Sequence, residues 1–134
     1  MKISTFDDLL KAARQQPEPQ QLLFVFTRSE LPEGASRDQR RQFQKGKGGA
    51  LVPVMFVDKP AEVLNNLAEL VAESKHTGQD WEVVFVGGLS GRDGRHPDDL
   101  EIEKTFETMV KCVQGGIVEH LLAFRKDGTQ VTFG

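Results

Sequence analysis

LLFVF at residues 22–26 is the stretch on which the fold turns. Five apolar side chains in succession leave no polar face. The segment therefore reads as a strand covered on both sides, the pattern of a parallel sheet sandwiched between helices. Two further runs repeat it, LVPVMFV at 51–57 and VVFV at 83–86. The segments around them have helical spacing. Phe6, Leu9, Leu10 and Ala13 fall at i, i+3, i+4 and i+7 and predict a helix over 6–14. Thr5 caps it, and Asp7 and Asp8 sit in the first turn, where the helix dipole favours negative charge. Leu64, Leu67, Ala68 and Val71 predict a second helix over 60–76, with Asp58 as its cap and Gly78 as its stop. Ile102, Phe106, Met109, Val110 and Val113 predict a third over 98–113, opened by Pro97 and ended by Gly115-Gly116.

Strand, helix, strand, helix and strand from 51 to 124 make two crossover units, each expected to be right-handed. IVEHLLAF at 117–124 and TQVTF at 129–133 flank Asp127-Gly128, the strongest short hairpin signal in the chain. The expected architecture is one α/β domain over 1–134, with a mixed sheet of about five strands, three principal helices and a C-terminal β-hairpin. Pro53 lacks an N–H, so its strand is either at an edge or begins its pairing after residue 53. The connection from Thr27 to Ala50 is long and polar. Within it SRDQRRQF predicts a short helix capped by Ser36, and the basic, glycine-rich stretch 34–49 is expected to be the most mobile internal segment.

Composition narrows the class. A chain of 134 residues with 38% hydrophobic and 28% charged side chains buries a core without staples. One cysteine excludes an internal disulfide and a cysteine-rich metal site. No apolar run approaches the roughly 20 residues that span a bilayer, and MKISTFDDLLKAARQQ lacks the apolar centre of a signal peptide. A cytoplasmic protein without a membrane segment is expected. The net charge of -3 divides into +3 over residues 1–59 (10 basic, 7 acidic) and -6 over residues 60–134 (7 basic, 13 acidic). The basic excess lies at Arg37, Arg40, Arg41, Lys45 and Lys47, with Phe43 as its lone aromatic. Single-stranded nucleic-acid sites combine a charged groove with several stacking rings, so a nucleic-acid partner is disfavoured.

Catalytic motifs fail on spacing. Gly88-Leu89-Ser90-Gly91 brings its second glycine one position early for a nucleophile elbow, and the helix begins too late for the strained turn. KGKGGA at 45–50 precedes a strand, whereas a phosphate-cradling loop joins a strand to a helix. His96, Asp98, Asp99, Glu101 and Glu103 splay around a helix axis instead of converging on a metal, and Cys112 packs beside a core stripe. No metal or other cofactor is called for. What remains is an anion site. If the first three strands run parallel, their carboxyl ends open on one edge and gather Arg28, Ser29, Lys59, Ser90, Arg92, Arg95 and His96 near a helix N-terminus. For the 87–97 loop itself the favoured reading is a plain surface loop in which the arginines pair with Asp93, Asp98 or Asp99, with the anion site second to it.

As text, LLFVFTRSELPE (22–33), GGALVPVMFVDK (48–59) and VVFVGGLSGRDGR (83–95) resemble a family of small bacterial proteins that often carry the label ribonucleotide reductase subunit alpha. The resemblance implies a bacterial cytoplasmic protein and brings no established catalytic residues with it. Ribonucleotide reduction needs a thiyl-radical cysteine, a redox-active cysteine pair and a far longer barrel. Cys112 alone supplies none of that chemistry. The expected function is a binding or regulatory module for a protein partner or a small anion. The alternative is a small enzyme acting on an anionic phosphate or carboxylate metabolite.

Overall fold

The computed structural model describes residues 3–31, 33–45, 49–118 and 121–132. The elements in chain order are α1 (Phe6–Arg14), β1 (Gln20–Glu30), α2 (Arg37–Gln44), β2 (Ala50–Pro60), α3 (Leu67–Lys75), β3 (Val83–Ser90), α4 (Asp99–Gly115) and β4 (Leu122–Arg125). The four strands form one sheet in the order β2-β1-β3-β4.

Every pairing in that sheet is antiparallel. The expected mixed sheet is thereby corrected, and so is the second crossover unit, since α4 joins the antiparallel neighbours β3 and β4; β1, whose direction the long connection left open, runs antiparallel to both its neighbours. The both-face burial read from LLFVF is present: Leu22 to Phe26 are each at most 2% exposed. Leu22, Phe24 and Phe26 point to the face covered by α1 and α3, where Phe6, Leu10, Leu67 and Leu70 complete the packing. Leu23 and Val25 point to the opposite face, against Met109 and Val113 of α4. A continuous apolar run therefore reports cover on both faces and is silent about strand direction. The long connection decides direction here, because it folds back so that Glu30 faces Ala50 and β1–β2 becomes an extended hairpin. Within that connection α2 is capped by Ser36, which accepts from the Gln39 N–H while the Gln39 side chain accepts from the Ser36 N–H. No residue of α2 is buried. Gly46 to Gly48, part of the stretch expected to be mobile, lie outside the described residues.

Pro53 takes the edge alternative. β2 is the outermost strand, and its register slips beside Pro53, where Phe26 faces Met55 and Thr27 faces Pro53. The extra residue, Val54, is a β-bulge that accommodates the missing donor. The second helix starts seven residues later than expected, at Leu67, because Pro60 is still paired with Gln21 in the sheet. Its cap is Asn66, which accepts from the Glu69 N–H at 2.9 Å. Asp58, the expected cap, instead accepts from Gln21 Nε2 at 2.7 Å. The first helix spans the expected residues, with Thr5 accepting from the Asp8 N–H. The fourth is capped by Asp98 and ends on left-handed Gly116.

Among the described residues four strands stand where about five were expected. The C-terminal hairpin turns at Asp127-Gly128, with Arg125 N–H donating to the Thr129 carbonyl and Val131 N–H to the Ala123 carbonyl, both at 2.9 Å. Its return arm is a single bridge, Phe124 to Gln130, and not a strand. Glu119, His120 and Phe133 of that expected pair lie outside the described residues. No helix among the described residues is long and apolar enough to cross a membrane.

Phe24 is fully buried and stacks at 6.2 Å from Phe6. Phe24→Ala should destabilise the fold by about 3 to 5 kcal/mol, since removing a core ring leaves a cavity that the close-packed layers cannot refill. Urea denaturation reads the difference directly, and a loss below about 1 kcal/mol would contradict the two-face core.

Candidate functional site

Strand direction decides which expected site residues meet. At one end of the sheet Gln20 faces Ser90 and Gln21 faces Pro60, so Lys59, Ser90, Arg92, Arg95 and His96 share this edge. At the other end Arg28 faces Val52 and Ser29 faces Leu51. The antiparallel β1 thus removes Arg28 and Ser29 from the expected constellation. There Arg28 pairs with Glu30 at 2.9 Å, and the Ser29 N–H donates to Glu82.

Of the residues that stay together, Lys59, Ser90 and His96 are engaged by side chains of the protein itself. Lys59 Nζ lies 2.7 Å from Glu73 Oε1, and His96 Nε2 lies 2.7 Å from Glu62 Oε1. Ser90 accepts from the Gln20 amide. The loop after β3 is a miniature hairpin: Arg92 and Arg95 exchange backbone hydrogen bonds at 3.0 and 2.9 Å around Asp93 and Gly94. Both central residues have positive φ, 54° and 78°, the signature of an Asp-Gly turn. Gly94 N–H donates to the Glu18 carboxylate, an anion of the chain itself. A cavity of about 450 Å³ does lie at this loop, but Asp93, Asp98 and Glu101 line it beside Arg92, Arg95 and His96. Three carboxylates against two guanidinium groups is a mixed surface with no cationic excess for an anion to meet. At the helix start, Asp98 already accepts the Glu101 N–H at 2.8 Å.

Gly91 is demanded by this turn. A Cβ there would stand 1.8 Å from the Arg95 carbonyl oxygen, far inside van der Waals contact. Gly91→Ala should cost about 2 to 3 kcal/mol, because backbone has to move. Chemical denaturation measures this, and a cost under about 0.5 kcal/mol would show the loop to be open instead of folded back.

Two other concavities of the surface are more apolar. A cleft of about 460 Å³ lies where β4 stops short of the end of β3, between α1 and α4. Leu9, Ala13, Met109 and Cys112 line it, and its threonines are self-satisfied: Thr105 and Thr108 donate to the carbonyls of Glu101 and Lys104. The second is a groove of about 600 Å³ between the outer strand β2 and α4. Its floor is Phe56, Ile102, Phe106 and Val110, and its rim is Asp99, Glu103, Glu107 and Lys111. Phe56 remains 51% exposed although its ring meets Phe106 edge-on, with centroids 5.7 Å apart. It projects from the face of β2 that Val25 marks as the α4 side, beyond the helix's cover.

Sequence reasoning assigned Ile102, Phe106 and Val110 to the core stripe of α4. The structure splits that stripe: Met109 and Val113 are buried against the sheet, while the other three are half-buried at the groove. The signal was present in its width, since 102, 106 and 110 continue around the helix from 109 and 113. A second signal was LVPVMFV, apolar on both faces in an edge strand that α4 only partly covers.

Among the described residues, the carboxyls held below their usual range belong to a helix cap, a surface ion pair and a turn. A backbone hydrogen bond from Ser4 lowers Asp8, the Lys126 ammonium lowers Asp80, and hydrogen bonds from Thr129 lower Asp127. None lines the groove or the loop cavity. No group of three or more His, Cys, Asp or Glu side chains among the described residues is placed to hold a metal ion. No protein-family model, curated protein or solved structure matches this chain.

Proposed function

We propose that this chain is a non-catalytic interaction module that engages a protein partner through the groove between β2 and α4. The observation that carries the reading is Phe56, a large aromatic side chain half in water, at the mouth of an apolar groove with a charged rim. Apolar cores inside polar rims are the anatomy of protein-binding patches, and aromatic residues are their commonest anchors. Leaving such a ring exposed forfeits the burial that the rest of the sheet achieves. A partner that covers it recovers that term.

The other reading, a small anion bound by Arg92, Arg95 and His96 or turned over there by an enzyme, draws less support. Glu62 holds His96, Glu18 holds the Gly94 amide, and three carboxylates line the cavity.

One pair of measurements separates the two. A thermal-shift screen of phosphate esters, nucleotides and carboxylates should give no stabilisation that disappears in Arg92→Ala/Arg95→Ala. Random peptides selected on the immobilised protein should converge on apolar anchors flanked by lysine or arginine, and should lose binding to Phe56→Ser. A compound class that raises the melting temperature only with both arginines present would overturn the proposal. So would selected peptides that bind Phe56→Ser as tightly as the native chain.

A further inference from the structure

The groove side of α4 is a single helical stripe running from Asp99 to Gln114 at i, i+3 and i+4 spacing. Its charge is polarised. Asp99, Glu103 and Glu107 lie toward the N-terminal end, and Lys111 with Gln114 toward the C-terminal end. Ile102, Phe106 and Val110 form an apolar row beside this charged one, with Phe56 of β2 alongside. Glu103 and Lys111 are eight residues apart, about 12 Å along the axis and out of each other's direct reach.

A stripe with this order is its own complement. Rotation about a two-fold axis at the level of Phe106 and Glu107 lays a second α4 antiparallel on the first. Residue 103 then falls beside 110 and 111 of the other copy, 102 beside 111, and 99 beside 114. The apolar centres meet, Glu103 reaches Lys111 of the second copy at both ends, and the helix dipoles oppose. We propose that the groove is a two-fold interface between two copies of this chain, α4 against α4 with Phe56 of each packed into the other's stripe. The inference rests on reading the groove as a docking surface and names its occupant.

Two features favour a second copy over a foreign cationic segment. A uniformly basic occupant would set a like charge against Lys111, whereas a second copy meets Lys111 with Glu103 and Glu103 with Lys111. The chain's own basic helix, α2, is the other candidate, but Phe43 is its one apolar side chain and it cannot fill a four-residue apolar floor. Two-fold dimers are also the commonest closed assembly, and a self-complementary patch is what they require. Glu107 sits beside the axis, where the two copies bring like charges together, and this keeps the affinity moderate.

Sedimentation velocity on the full chain, from about 1 µM to about 300 µM, reads the association directly. The native chain should pass reversibly from monomer to dimer. Glu103→Lys and Lys111→Glu should each weaken association about tenfold, and the double variant should return it to within about threefold of native. Glu107→Gln should tighten it, whereas the same change weakens binding of any cationic peptide. All these positions are exposed, and circular dichroism confirms that each variant is folded. A chain that stays monomeric throughout overturns the two-fold interface, and so does a dimer that the single swaps leave intact or the double swap fails to restore. Self-pairing alone fails if a monomeric chain still selects Phe56-dependent peptides. The groove reading itself fails if neither occurs.

Discussion

From Leu22 to Thr27 β1 is enclosed on all four sides, and the rest of the molecule is arranged to achieve that. Its two edges are hydrogen-bonded to β2 and β3 along nearly its whole length. Its two faces are sealed by α1 and α3 on one side and α4 on the other. Even its single buried hydroxyl is satisfied across the ladder, Thr27 Oγ1 donating to the Val83 carbonyl at 2.8 Å. With no water at the strand, any slip of one residue would exchange two apolar faces that are packed differently, so register is strongly specified. The flanking strands inherit what β1 leaves over. β3 is also buried on both faces over Val83 to Val86, while β2, at the edge, carries Pro53, a bulge and an aromatic ring that the helices do not cover.

Local chemistry was legible in the chain wherever a local device decides the outcome. Thr5 and Ser36 act as the caps that their positions imply, and Gly116 closes α4 in the left-handed conformation. Asp127-Gly128 turns the C-terminal hairpin. What a local pattern could not carry was strand direction. LLFVF announces burial on both faces, and a strand between two layers of helices is buried in this way whichever way its neighbours run. Direction followed from a connection long enough to permit either outcome. That one ambiguity propagated into the expected site, because Arg28 and Arg92 share an edge only if β1 runs parallel to β3.

The loop GRDGR illustrates a second kind of ambiguity. Its Asp93-Gly94 pair has the same turn signature as Asp127-Gly128, yet its arginines, histidine and helix N-terminus drew a ligand-binding reading. In the structure the turn chemistry prevails, and neighbouring carboxylates accept from the Gly94 and Glu101 amides and pair with His96. The groove was hidden for the opposite reason. Each of its parts has an ordinary explanation alone, an apolar strand and an amphipathic helix, and only the offset between β2 and α4 leaves their apolar excess facing outward. Charge order along α4 adds what composition cannot express: Asp99, Glu103 and Glu107 precede Lys111 on the groove side, the order on which the proposed self-pairing rests.

The direction of β1 bears on the fold, on the scattered anion constellation and on the position of Phe56, so it is the feature to measure. Spin labels at Arg28 and Arg92, with Cys112 replaced by serine, report it by pulsed electron resonance. Eight residues of strand separate Arg28 from the end at which Gln20 meets Ser90, which sets the backbone positions about 27 Å apart. A distance distribution centred at about 25 to 30 Å is the predicted result. A distribution centred below about 15 Å would place both arginines on one edge and contradict the antiparallel arrangement on which the rest depends.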